Sequence, residues 1–129
     1  MKARRYEGIV PVHPRYLRTV EVDGMAIPTD AEGYLVDRNQ WSEGFAQALA
    51  ATYGLTLTAE HWHVIRLIRN RWRTLGRTAS TRQIIRHFRA VWGEEKGSAA
   101  YLFHLFEAGG GPEKLGNRLA GAPRPSGDA

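Results

Sequence analysis

The chain has 129 residues, a mass of 14.5 kDa and a formal net charge of +5, with 43% hydrophobic and 24% charged residues, which describes one globular domain and not a disordered chain. No apolar run approaches the ~18 residues of a membrane span, and no apolar stretch follows the basic start Met1–Arg5, so neither a spanning helix nor a secretory signal is expected and the cytoplasm is the expected compartment. There is no cysteine, which excludes disulfides, thiolate metal sites, cysteine nucleophiles and sulfur carried on the chain's own thiol.

Residues 1–18 read as a poorly ordered N-terminal extension, interrupted by Pro11 and Pro14 and without a sustained period of 2 or 3.6. Thr19–Pro28 predicts a β-hairpin. Asp23-Gly24 supplies its turn, because a type I′ turn needs positive φ at both central positions. Pro28 is expected to end the second strand by removing a donor. Asp30–Gly33 is another turn, and Tyr34-Leu35 returns to the core. The first helix is expected to start near Asn39 as its N-cap, with Trp41, Phe45, Ala48, Leu49 and Thr52 on one face and Gly54 as the stop. Residues 20–59 carry six acids against one Arg.

The balance then inverts: residues 60–96 carry nine Lys/Arg against three acids, which invites a polyanion or an acidic protein surface. Thr58 caps a second helix, and Glu60 complements its dipole. Trp62, Ile65, Ile68, Trp72 and Leu75 form its apolar stripe, with Arg66, Arg69 and Arg73 on another face beside Arg71. After the connection Leu75–Ser80, a third helix turns Ile84, Ile85, Phe88, Val91 and Trp92 inward and Arg82, Arg86 and Arg89 outward. Gly93–Gly97 break it. Ala99–Phe106 is a short fourth helix, Glu107–Gly111 a flexible joint, and Pro112 opens a last helix over 112–120. From Gly121 two prolines favour an extended arm. The fold class is mainly α: a small helical domain with a helix-turn-helix-like core, an N-terminal β-hairpin and a flexible C-terminal arm. The divisions are 1–18, 19–106 and 107–129.

The chemistry is sparse. His61 and His63 are two residues apart, so on a helix they point about 200° from each other and do not share an ion. No metal and no cofactor are expected. Gly109–Gly111 lacks the Lys-Ser/Thr of a phosphate-binding loop, and no serine sits in a nucleophile elbow. The second and third helices resemble a helix-turn-helix. Arg82, Gln83, Arg86 and Arg89 would meet base edges, and Arg66, Arg69 and Arg73 phosphates. The same side chains would equally meet an acidic protein surface.

The order of motifs carries a resemblance. Val22-Asp-Gly24, Asp30-Ala-Glu-Gly-Tyr-Leu35 and Trp41 lead it. Leu57-Thr-Ala-Glu-His-Trp62 follows with Ile65 and Arg69, then Gly93-Glu-Glu-Lys-Gly97 with Tyr101-Leu102 and Leu105-Phe106. Gly111-Pro112, Lys114, Arg118, Ala120-Gly121 and Pro123-Arg-Pro125 close it. Over residues 19–129 the chain resembles the DsrC/TusE family, whose members include the gamma subunit of dissimilatory sulfite reductase and the TusE component of a sulfur relay. The resemblance implies sulfur carried on a next-to-last cysteine of the arm, with a second cysteine further up in many members. Here those positions are Asp128 and Asn117, neither of which can hold a sulfane sulfur. The 18-residue extension and Glu107, where the family has proline, are further departures.

A non-catalytic protein is therefore expected, with the family's sulfur transfer lost. It would regulate or dock by binding sulfite reductase or sulfurtransferase-type partners of sulfur metabolism. Its partner-binding arm would be Lys114, Asn117, Arg118, Arg124 and Asp128. The alternative is a helix-turn-helix transcriptional regulator of sulfur-oxidation genes, with DNA as its partner.

Overall fold

The computed structural model describes residues 18–125. Residues 1–17 of the expected N-terminal extension and Asp128 lie outside them, whereas Arg18, its last residue, belongs to the first strand.

Strands β1 (Arg18–Val22) and β2 (Met25–Thr29) pair antiparallel, from Val22↔Met25 at the turn to Arg18↔Thr29. Asp23 and Gly24 take φ of 51° and 80°, as a type I′ turn demands. Pro28 does not end the strand but lies within it. Bonded and non-bonded pairs alternate away from a two-residue turn, and Thr19↔Pro28 falls on a non-bonded pair, where no donor is missed. The Asp30 carboxylate then accepts from Glu32 N–H at 2.8 Å and Tyr34 N–H at 3.0 Å, closing the turn that buries Tyr34 and Leu35.

Asn39 is not a helix cap. It sits in a 3-10 turn, Arg38–Gln40, capped by Asp37, and helix α1 (Glu43–Thr52) starts four residues later. Ser42 caps it because its hydroxyl reaches Phe45 N–H at 3.0 Å. Trp41 precedes the helix, and Thr52 is exposed. Gly54, at φ 73°, follows its end.

Helix α2 (Ala59–Leu75) is capped by Thr58, whose N–H donates to His61 Nδ1 at 2.9 Å. That fixes the tautomer: Nε2 carries the proton and donates to Leu105 O at 2.8 Å. With both nitrogens satisfied, His61 is buried, and its neighbours on the inner face are Val64, Ile65 and Ile68. The stripe is thus rotated from the expected one. Trp62 and Trp72 are half-buried flanks, and Leu75 is exposed. His63 faces away and stacks on Trp92 at 6.0 Å.

Helix α3 (Thr81–Trp92) carries a Ser80/Gln83 capping box and buries Ile84 and Phe88, while Val91 is exposed. Helix α4 (Ala99–Leu105) buries Leu102 and leaves Phe103 exposed. It is tied to α2 by Glu60, which accepts from the Tyr101 hydroxyl and from Lys96 Nζ at 2.8 Å. The Lys96 and Tyr101 hydrogen bonds hold the Glu60 carboxyl below its usual range. A carboxyl depressed in the folded state stabilises above its unfolded pKa and loses that contribution as pH falls through the folded value. The melting-temperature gap between the wild type and Glu60→Gln is therefore expected to be largest near neutrality and to shrink progressively below about pH 4.5. A gap independent of pH in thermal melts would remove the ionised carboxylate from the tie.

Helix α5 (Pro112–Leu119) sits at the centre, packed on α1, α2, α3 and α4. Leu115 and Leu119 are fully buried, each contributing on the order of 1.5–3 kcal/mol. A Cβ at Gly116 would stand 2.7 Å from Ile68 Cδ1, so the glycine sets how closely α5 approaches α2. The glycine run before it is also tightly packed. A Cβ at Gly111, whose φ is 108°, would stand 2.4 Å from the Phe103 ring.

Candidate functional site

The arm leaves α5 across a cradle built by three other segments: Trp41 before α1, Arg69 of α2 and the turn after the hairpin. The Trp41 indole N–H donates to Leu119 O at 2.8 Å, and Arg69 Nη1 donates to Ala120 O at 3.0 Å. The Arg69 guanidinium lies 4.3 Å over the Trp41 ring. Burial first, and then the charge of Arg73, lower the Arg69 pKa from the ordinary arginine range. Gly121 crosses this pair at φ 72°, where a Cβ would stand 2.5 Å from Trp41 Cδ1. Further along, Arg124 Nη2 contacts Glu32 Oε1 at 2.6 Å and Asp30 Oδ2 at 3.3 Å, with its guanidinium 4.8 Å over Tyr34. The acidic turn after the hairpin thus clamps the basic arm.

Asn117 is buried with its amide fully used. Its Nδ2 donates to Ala79 O at 3.1 Å and Glu113 O at 2.7 Å, and its Oδ1 accepts from Ala79 N–H at 3.4 Å. Asn117, which the resemblance assigns to a cysteine position, is thus a backbone clamp joining α5 to the α2–α3 connection.

Arg118, 8% exposed, lies between Tyr34 and Tyr53 and donates to the Tyr53 hydroxyl. Its Nε has no partner among the described residues. Burial raises the Tyr34 pKa, against the Arg118 hydrogen bond that lowers it. Of the arm residues expected to meet a partner, Lys114 and Arg124 are exposed, whereas Asn117 and Arg118 face inward.

The residues expected on one basic face fall into two groups: Arg66, Arg69 and Arg73 line one hollow, and Arg82, Arg86 and Arg89 line another. Arg66 lies over Trp62 and pairs with Glu43 at 3.7 Å. Arg69 is turned inward to the arm, and Arg73 is exposed beyond it. Gln83 Oε1 is committed to Ser80 N–H at 2.9 Å, and Arg89 Nε to Gly97 O at 3.2 Å. Arg82 and Arg86 instead face a cleft shared with the arm, where Arg71, Arg77 and Arg124 join them. The sequence offered no signal for Arg77, which sits in a connection and joins the cleft only through the fold.

The family described as "DsrC like protein" matches residues 21–128. The chain belongs to the DsrC-like family. Sulfurtransferase TusE of Pectobacterium atrosepticum is 40% identical over 106 residues, which span 82% of this chain and 95% of the relative. Sulfurtransferase TusE of Salmonella typhimurium is 41% identical over 103 residues, 80% of this chain and 93% of the relative. The solution structure of Allochromatium vinosum DsrC superposes with a TM-score of 0.76 at 36% identity, covering 85% of this chain and 96% of that one. The oxidised gamma-subunit of the dissimilatory sulfite reductase from Archaeoglobus fulgidus gives 0.70 at 28% identity, with 84% and 97% covered. The membership places the chain in the sulfur-relay family that its motifs resemble.

One expectation is corrected by these relatives. The lack of cysteine suggests a non-catalytic protein, yet relatives at about 40% identity bear the name sulfurtransferase. The missing thiol removes a carrier from this chain, and not the capacity to take part in a transfer between sulfur atoms that other proteins hold. The DNA-binding alternative gains nothing. None of the relatives named here is described as binding nucleic acid, and two of the four residues meant to read bases are tied to the chain's own backbone. Among the described residues no helix is long and apolar enough to cross a membrane.

Proposed function

We propose that the chain acts in sulfur relay by docking: its α5 and arm surface seats on a sulfurtransferase-type or sulfite-reductase-type partner and regulates access to that partner's sulfur site. Sulfur moving through such a complex rides on the partner's thiols, since this chain has none. The observation that carries the reading is the arm itself. The pattern from Lys114 to Pro125 is kept although the thiol positions are not, and the described part is held in one shape by Trp41, Arg69, Asp30 and Glu32. A surface kept without its reactive atom is a surface kept for contact. The relatives named sulfurtransferase and sulfite reductase gamma-subunit support the partner class.

Pull-down on immobilised sulfite reductase and sulfurtransferase is the test. Retention is expected at micromolar concentrations, and Lys114→Glu, an exposed charge reversal, is expected to weaken it about tenfold, the range of a charge-assisted contact. Passage of the wild type through both columns would end the docking reading.

A further inference from the structure

We propose that the cleft between the arm and the α2–α3 connection binds an acidic peptide segment of a partner protein. The cleft has a volume of about 910 Å³. Five arginines line it: Arg71 from α2, Arg77 from the connection, Arg82 and Arg86 from α3, and Arg124 from the arm. One acid shares the wall, Glu113, and it is already engaged. Its Oε1 accepts from Thr81 N–H at 2.7 Å and from the Thr81 hydroxyl at 2.9 Å.

Two of the five arginines are positioned by the fold. Arg71 Nε donates to Thr78 O at 2.9 Å, and Arg124 is held on Asp30 and Glu32. The other three, Arg77, Arg82 and Arg86, have no hydrogen bond or ion pair to any described residue. Three guanidinium groups in one concavity, without an acid partner among the described residues, repel one another, and an occupant bearing carboxylates turns that repulsion into attraction. Guanidinium forks accept carboxylates two bonds at a time, so the site selects for Glu and Asp side chains rather than for diffuse negative charge.

A phosphate backbone shares the charge but fits the place less well. The arginines come from three elements around a hollow and do not form a rail. On the arm side, Arg124 is already paired with Asp30 and Glu32, so the charge that an occupant meets comes from Arg77, Arg82 and Arg86. Arg38 lies 5.7 Å over the Trp72 ring, so one face of that ring is already taken and closed to a stacking base. Pro123 and Pro125 at the rim offer carbon surface for an extended peptide. This site deepens the docking function and rests on it only for the class of partner.

Fluorescence anisotropy with a labelled short Glu/Asp-rich peptide, beside a single-stranded oligonucleotide of equal charge, tests the site with no sulfur-relay protein present. Its failure is thus separable from a failed pull-down. The full chain is expected to bind the peptide at micromolar concentration and to prefer it to the oligonucleotide. The double variant Arg82→Ala/Arg86→Ala should bind about tenfold more weakly, and added salt should weaken the wild type. Arg66→Ala, away from the cleft and facing Glu43, should leave binding unchanged. Absence of peptide binding, equal losses in both variants, or tighter binding of the oligonucleotide would each overturn the site.

Discussion

Gly97→Ala is expected to be the most damaging single-methyl change in the chain, costing on the order of 4 kcal/mol or more in chemical denaturation. The new Cβ would stand 2.2 Å from Arg89 Cα, 2.3 Å from Arg89 N and 2.6 Å from the Phe88 carbonyl carbon. All three are backbone atoms of α3, so no rotamer change relieves the clash. Relief requires the last turn of α3 to lift off the 93–97 loop. That would break the Arg89 Nε contact to Gly97 O at 3.2 Å. It would also disturb Phe88, which is buried and stacks at 4.2 Å on Trp92. Gly76→Ala is the control. Its backbone is left-handed helical, at φ 66° and ψ 27°, and nothing lies within 4 Å of the added carbon, so only backbone strain of about 1–2 kcal/mol is expected. Equal midpoints for the two variants in urea would remove the close approach of loop and helix as the cause.

The same glycine marks the limit of what the sequence discloses. As a helix breaker Gly97 is legible, because a Gly-rich pause between two apolar stripes is a local signal. Its contact with the Arg89 backbone is not, since that depends on how the loop folds back. The hairpin was legible for a local reason too: few dipeptides other than Asp23-Gly24 tolerate two positive φ values. The helical stripes are legible in period, and in phase where Phe45 and Leu49 of α1 and Ile84 and Phe88 of α3 are buried as expected, whereas the phase of α2 is not. Large aromatic residues drew the inward face toward Trp62 and Trp72, whereas His61 and Val64 are the buried ones. His61 goes inside because Thr58 and Leu105 satisfy both ring nitrogens, and Leu105 lies 44 residues away. The central place of α5 was the least legible. Pro-Glu-Lys-Leu-Gly-Asn-Arg-Leu shows only two leucines as an apolar signal. It packs at the core because Gly116 admits Ile68 and because Asn117 finds its partners in the α2–α3 connection. The candidate site behaves likewise: individual arginines are visible in the sequence, and their convergence from residues 71 to 124 on one cleft is not.

Asn117→Cys, which restores the residue type that the family resemblance assigns to this position, is expected to destabilise the chain by about 2–4 kcal/mol, lowering the melting temperature on the order of 10 °C. The amide pairs with both polar groups of Ala79, a residue that is itself buried, and donates a further bond to Glu113 O. A thiol is a weak donor and a weak acceptor, so the N–H and C=O of Ala79 would be left in an apolar interior without strong partners. Each such orphan costs about 1–3 kcal/mol, while the thiol's own easy burial recovers part of the loss. The installed thiol would also be shielded: position 117 is fully buried, and a reagent or partner reaches it only after α5 parts from Ala79. Slow labelling by a thiol reagent, at a rate that tracks global unfolding, is therefore expected alongside the loss of stability. An Asn117→Cys chain that melts with the wild type and labels at the rate of an exposed thiol would show that the carboxamide clamps nothing. The expected outcome would instead show that a cysteine at 117 is costly without a compensating change at Ala79, because the amide joins α5 to the α2–α3 connection.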